Sequence, residues 1–190
     1  MADAEGRFAV LMVCTGNICR SPVAERLARA SWGSPDEIVV TSSGTRAMVD
    51  EGINLTMAHL LESNGVYSAE FWARQMTEEH LREADLILGM TRRHRQAALS
   101  LYPGAVRRTF TLREFARLAA AAQGALPDDL RGADRLRALV DAVNDQRRPT
   151  STDGDDIRDP YGHPADVHEE SFQSIRESVL TVAEILRRPA

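Results

Sequence analysis

Cysteine is scarce in this 190-residue chain. There are two, Cys14 and Cys19, with four residues between them. Two thiols so close together cannot build the disulfide framework of a small secreted domain, and a reducing cytoplasm is the expected compartment. Lysine is absent altogether, so all 23 basic residues are arginine, which reads as a codon-composition effect. No apolar run is long enough to cross a bilayer. The start, Met1 to Gly6, is acidic and lacks the charged opening of a secretory signal. A net charge of −5 argues against nucleic acid or an anionic membrane as the main partner. No internal repeat occurs, and the length suits one domain with a good core.

What the chain does have is concentrated in Val13-Cys14-Thr15-Gly16-Asn17-Ile18-Cys19-Arg20-Ser21-Pro22. An apolar run, Phe8 to Val13, precedes it and an amphipathic stretch follows. A strand, a tight loop and a helix N-terminus together make a phosphate cradle, and this cradle contains a thiol. Gly16 and Asn17 tolerate positive φ. Ser21 suits an N-cap, and Pro22 suits the first helical position.

Apolar runs alternate with helical patterns along the chain, which predicts an α/β fold: three layers, with a mostly four-stranded parallel sheet flanked by helices and the phosphate-binding loop after the first strand. Strands are expected near Phe8–Val13, Ile38–Ser42, Leu86–Gly89 and Val106–Phe110. Helices fit Pro22–Ser31, Leu55–Asn64, Glu78–Ala84, Arg92–Leu101, Leu112–Ala122 and Val167–Arg187. Thr111 with Glu114, and Asp166 with Glu169, read as capping boxes or close relatives. Phe172, Ile175, Val179, Val182 and Leu186 form one apolar helix face. Residues 123–156 are polar and rich in Asp and Arg, with one short helical pattern at Leu136, Leu139, Val140 and Val143. This segment reads as an insertion, either a solvated loop or a small lid. Ligands of parallel sheets bind beyond the strands' carboxyl ends, so the loops after Cys14, around Ser42 to Arg46 and around Met90 to Arg95 should share one rim. Arg92, Arg93 and Arg95 would either attract phosphorylated substrates there or form a solvated helix start.

The loop resembles that of the low-molecular-weight protein tyrosine phosphatase family, C-x-G-N-x-C-R-S-P, at every fixed position. Further matches follow in order: Thr41 to Thr45, Ala73-Arg74-Gln75, Ala84 to Leu88, and Asp159-Pro160-Tyr161. The resemblance implies hydrolysis of phosphotyrosine monoesters through a cysteinyl-phosphate intermediate, with no cofactor. The implied partner is a tyrosine-phosphorylated protein, and a cognate bacterial tyrosine kinase is a candidate for it.

The residue chemistry agrees with that reading. A phosphate monoester is a dianion. Arg20 can bind two of its oxygens through a planar fork, and the N–H groups from Thr15 to Arg20 can serve the rest. A positive site of this kind favours the Cys14 thiolate, the form that attacks phosphorus. A tyrosine leaving group needs a proton. By composition Asp153, Asp155, Asp156 and Asp159 all qualify, and the resemblance selects Asp159. Pro160 biases Asp159 toward an extended backbone. The resemblance also implies loop support from Asn17, Ser21 and Ser42, and pocket walls at Ile18, Met48 and Tyr161. Phe71 stands where the family commonly has His, so part of that support is expected to be replaced. Cys19 is a candidate to resolve an oxidised Cys14 as a reversible disulfide.

Three rival readings are open. Arsenate reduction needs a third thiol well downstream, and none exists. A protein-arginine phosphatase tends to carry Thr where this loop has Ile18. A phosphoprotein-binding module would not need Cys14, Arg20 and Asp159 all intact. Metal binding has one suggestive spacing, His163-x-x-Asp166-x-His168, which a polar loop before a helix explains better.

Overall fold

A computed structural model describes residues 6–147 and 154–187. Four parallel strands, β1 (Phe8–Cys14), β2 (Ile38–Gly44), β3 (Leu86–Gly89) and β4 (Thr109–Thr111), form one sheet in the order β2-β1-β3-β4. Strand β1 is central, and Val10 faces Val40 on one side and Leu86 on the other. The α-helices are α1 (Arg20–Ser31), α2 (Leu55–Ser63), α3 (Glu78–Glu83), α4 (Arg92–Leu101), α5 (Leu112–Ala122), α6 (Gly132–Gln146) and α7 (Ala165–Arg187).

Side chains alternate across a strand, and that alternation divides the core. Val10, Met12, Leu86, Leu88 and Phe110 are buried against α1, α5, α6 and α7. Leu11, Val13 and Ile87 are buried on the opposite face, with Leu81 of α3 and Ala98 of α4. The result is the three-layer arrangement expected from the sequence. The apolar face of α7 packs inward as its period requires, and Trp32 at the end of α1 donates its indole N–H to the Val179 carbonyl at 2.9 Å.

Several boundaries differ for local reasons. Strand β4 has three residues, because Pro103–Arg108 forms a 3₁₀ turn that takes up the expected start at Val106. The Thr111–Glu114 capping box opens α5. Asp166 is not a cap: α7 begins at Ala165, so Asp166 lies in the first turn, where a carboxylate still favours the helix dipole.

The largest correction concerns residues 123–156. Over Gly132–Gln146 this stretch is neither solvated loop nor lid but a fifteen-residue helix. Leu136, Leu139 and Val143 on it are fully buried in the main core. Arg135 is buried with them, and its Nε donates to the Ile185 carbonyl at 2.8 Å, near the end of α7. Asp134, Asp141 and Asp145 are exposed on it, and the four apolar positions read from the sequence form its buried stripe.

A lid residue contributes little to global stability, whereas a core leucine contributes much. Leu139→Ala is expected to lower the unfolding free energy by about 2–5 kcal/mol, seen as a reduced denaturant midpoint at unchanged slope. A change within about 0.5 kcal/mol, typical of a surface site, would return α6 to the status of a lid.

Candidate active site

Strand β1 ends at Cys14 and α1 begins at Arg20, so five residues make the whole turn. Asn17 sits at φ 55°, in the left-handed region that Asn tolerates better than most side chains. Gly16 does not share that conformation. A Cβ there would lie 3.5 Å from Ile18 and 3.8 Å from Met48, so its bare Cα widens the space between them. The helix starts two residues before the expected point: Cys19 is the N-cap and supplies no side-chain cap. Ser21 is therefore inside the first turn, and its hydroxyl donates to Cys14 Sγ at 2.9 Å. The Asn17 N–H points at the same sulfur at 3.3 Å.

Behind the sulfur lies a directed set of hydrogen bonds. The Asn17 carboxamide donates to Ser21 Oγ and to Ser42 Oγ, both at 2.9 Å, and its oxygen accepts the Arg74 N–H at 2.9 Å. Ser42 Oγ donates in turn to the buried Glu25 carboxylate at 2.6 Å. Arg74 Nε reaches the Ser42 carbonyl at 2.7 Å. The structure thus brings together Asn17, Ser21 and Ser42, as the sequence suggested, and adds Glu25 and Arg74, which it did not. Phe71 makes no polar contribution; it packs against the core with the Arg26 guanidinium 5.8 Å above its ring. Glu25 and Arg74 close the end of the network. Gly44 lets β2 approach the loop, since a Cβ there would lie 2.5 Å from the Thr15 carbonyl oxygen.

Arg20 is buried beside the thiol. One terminal nitrogen donates to the Ile157 carbonyl at 3.1 Å and the other pairs with Asp159 at 2.5 Å, while the buried Nε has no hydrogen-bond partner. Asp159 also accepts the Tyr161 N–H at 3.2 Å. Of the competing acids, Asp155 pairs with Arg117, and Asp156 pairs with Arg92. Asp153 lies outside the described residues. Cys14, Thr15, Gly16, Ile18, Cys19, Arg20, Arg46, Met48, Asp159 and Tyr161 line a cavity of about 250 Å³. Met48, 40 % exposed, and Tyr161, 57 % exposed, stand at its mouth. Burial, with Cys14 and Asp159 nearby, pushes the Cys19 thiol up to about 12, against the opposing pull of Arg20.

The loop after β3 meets the same rim through a residue the sequence reading passed over. His94 is buried and bridges two elements: Nε2 is 2.9 Å from Thr15 Oγ1, and Nδ1 is 3.0 Å from Thr91 Oγ1. Burial first, and the Arg20 charge second, lower its pKa to about 4. A lone His among arginines gave no signal in sequence, because the partner that ties it to the loop, Thr15, lies 79 residues away. Arg92 and Arg95 do not line the cavity; they pair with Asp156 and Glu114. His168 approaches the Pro164 carbonyl with Nδ1 at 3.1 Å, which accounts for its place in the suggestive metal spacing.

The family model described as low molecular weight phosphotyrosine protein phosphatase matches residues 9–150. The chain belongs to this family. A putative low molecular weight protein-tyrosine-phosphatase of Klebsiella pneumoniae is 31 % identical over 131 residues, covering 69 % of this chain and 85 % of the relative. A protein-arginine-phosphatase of Geobacillus stearothermophilus is 26 % identical over 180 residues, covering 95 % and 97 %. The crystal structure of the Erwinia amylovora tyrosine phosphatase AmsI superposes with a TM-score of 0.70 over 99 % of both chains at 23 % identity, a likeness of fold. Asp159 and Tyr161 lie beyond the matched 9–150 stretch, so their place at this phosphatase-family loop rests on the geometry above.

The depressed His94 pKa has a consequence for stability. The unfolded chain protonates this ring near pH 6.5 and the folded chain only near pH 4. Between those values the unfolded state binds more protons, so stability falls as pH drops from about 6.5 to about 4. The shift corresponds to about 3 kcal/mol. His94→Gln should flatten that part of the stability-pH curve in denaturant titrations. A variant with the wild-type slope would place the acid sensitivity elsewhere.

Proposed function

We propose that this protein is a protein-tyrosine phosphatase that removes phosphate from tyrosine by way of a cysteinyl-phosphate on Cys14, without a metal or other cofactor. The observation that carries the reading is the buried, unpartnered Nε of Arg20 beside a thiol that accepts two hydrogen bonds. A buried guanidinium N–H without a partner is costly, and a phosphoryl oxygen is the acceptor its site would suit. Family membership and the relatives' names support the same chemistry.

In this mechanism the substrate dianion competes with Asp159 for Arg20. Two phosphoryl oxygens take the Arg20 fork and the third takes loop N–H groups. The Cys14 thiolate, held by Ser21 Oγ–H and the Asn17 N–H, forms the S–P bond as the P–O bond to tyrosine breaks. Asp159, freed from Arg20, takes up a proton from solvent beside the substrate's negative charge and gives that proton to the departing phenolate. Water then attacks the phosphocysteine, Asp159 takes the proton, and phosphate leaves with the thiolate restored. Ile18, Met48 and Tyr161 flank the aromatic ring. Asn17, Ser21 and Ser42 keep the loop in its binding shape, with Glu25 as the last acceptor.

The substrate is a tyrosine-phosphorylated protein in this reading, with a cognate bacterial tyrosine kinase as a candidate for it. A reducing cytoplasm suits two buried free thiols. Redox control through Cys14 and Cys19 belongs to the same proposal. Attack on an oxidised Cys14 requires the Cys19 thiolate, and burial keeps Cys19 protonated, so disulfide formation requires the loop to open. A second reading, arginine phosphatase, is favoured by the near full-length match to a protein-arginine-phosphatase. Ile18 is the feature that sets this chain apart from that branch.

Two variants test the mechanism. Cys14→Ser is expected to abolish hydrolysis of aryl phosphates while vanadate or phosphate still binds, measured by calorimetry. Substantial residual turnover, or loss of wild-type activity on adding chelator, would count against a thiolate route. Asp159→Asn is expected to slow phosphotyrosyl peptides by roughly 10²–10⁴ and esters of good leaving groups far less, while tightening phosphate inhibition because the competing carboxylate charge is gone. An unchanged leaving-group slope would remove Asp159 from the acid role.

A further inference from the structure

The arginines around the cavity are not equivalent. Arg20 is paired with Asp159, Arg92 with Asp156 and Arg95 with Glu114. Arg46 lines the cavity, yet among the described residues its side chain makes no hydrogen bond or ion pair. Its backbone is tightly placed all the same. The segment after β2 runs along the loop in a short ladder: Thr45 N–H to the Cys14 carbonyl at 2.9 Å, Arg46 N–H to the Thr15 carbonyl at 3.0 Å, and Met48 N–H to the Gly16 carbonyl at 2.9 Å. The side chain of Gln75 ties down the other edge, accepting from the Ala47 N–H at 3.0 Å and donating to the Thr45 carbonyl at 3.1 Å. A rigid anchor therefore carries an exposed, unneutralised guanidinium at the mouth of the cavity, in a protein whose net charge is −5.

We infer that Arg46 is a specificity-determining residue, receiving a second anionic group, a carboxylate or a second phosphate, that lies next to the phosphorylated residue on the substrate chain. This rests on the phosphatase reading above. The transferred phosphoryl group already has Arg20 and the loop N–H groups, so a further cation at the rim is available to what flanks it. The planar fork of arginine suits both carboxylate and phosphate. The same cation disfavours phosphoarginine, whose own guanidinium would enter beside it. Met48 and Tyr161 provide apolar contact to the ring, and Arg46 reads the charge beside it. An exposed pair of this kind changes kcat/KM by roughly two- to fivefold at low salt, and the effect shrinks as the Debye length falls.

The test is a set of matched phosphotyrosyl peptides differing at one flanking residue: Glu, Gln, or a second phosphotyrosine. Wild type, Arg46→Gln and Arg46→Glu are compared at low and at physiological salt. Wild type is expected to prefer the Glu peptide to the Gln peptide by roughly two- to fivefold, and the doubly phosphorylated peptide by at least as much. Arg46→Gln should bring both preferences to about one, and Arg46→Glu should invert them while raising the phosphoarginyl-to-phosphotyrosyl ratio. The relative size of the two wild-type preferences tells which anion the site takes. Preferences that are equal in wild type and both variants overturn the inference. A wild type that cleaves phosphoarginyl but not phosphotyrosyl peptides overturns the tyrosine reading itself, and this inference with it, before any variant is made.

Discussion

The rim of the sheet depends on the carboxamide of Asn17. It is buried without solvent contact, at a positive φ. Its two donors and one acceptor hold three separate stretches of chain: Ser21 in α1, Ser42 in β2 and Arg74 in the segment after α2. A residue lacking either the amide donors or tolerance of that φ would lose the bonds to both buried hydroxyls and to the Arg74 N–H, each worth about 0.5–1.5 kcal/mol. The shape of the loop, the direction of the Ser21 hydroxyl toward Cys14 and the position of β2 against the loop are therefore one problem with one solution.

Charge is arranged around that scaffold so that positive potential is local. The chain is acidic overall, and its arginines are largely committed. Arg135 and Arg147 serve backbone carbonyls, and Arg92, Arg95 and Arg117 pair with carboxylates. Arg26, Arg95 and Arg108 also keep a buried Nε without a partner, and Arg20 differs in that its unused donor belongs to a side chain lining the cavity with Cys14. His94 beside it stays neutral, since burial and the Arg20 charge both oppose protonation. The ring can therefore hold Thr15 without adding a second fixed charge inside the cavity wall.

Much of the fold was legible from periodicity. The runs Phe8 to Val13 and Leu86 to Gly89 are strands because apolar residues there serve both faces of a parallel sheet. The stripe on α7 could only be a buried helix face. The apolar positions of α6 were legible as a short helical pattern, but its charged outer face made the stretch read as solvated loop or lid, and its full length and burial came only from packing. Ser21 was misplaced for a different reason: a residue with high N-cap propensity was used as a hydrogen-bond donor to sulfur, and propensity cannot anticipate a partner that comes from the end of the preceding strand.

The loop of Cys14 to Arg20 was determined by the sequence itself, because its elements are contiguous: a strand end, a residue tolerant of positive φ, and a helix start carrying a guanidinium. The family match extends well beyond that loop, over residues 9–150. Tertiary structure alone decided which carboxylate meets Arg20, that Glu25 and Arg74 join Asn17 and Ser42, that His94 buttresses Thr15, and that the Arg46 N–H bonds the Thr15 carbonyl at the cavity mouth. Each of these is a contact between segments far apart in the chain. Such contacts depend on sheet order and register, which no local pattern encodes.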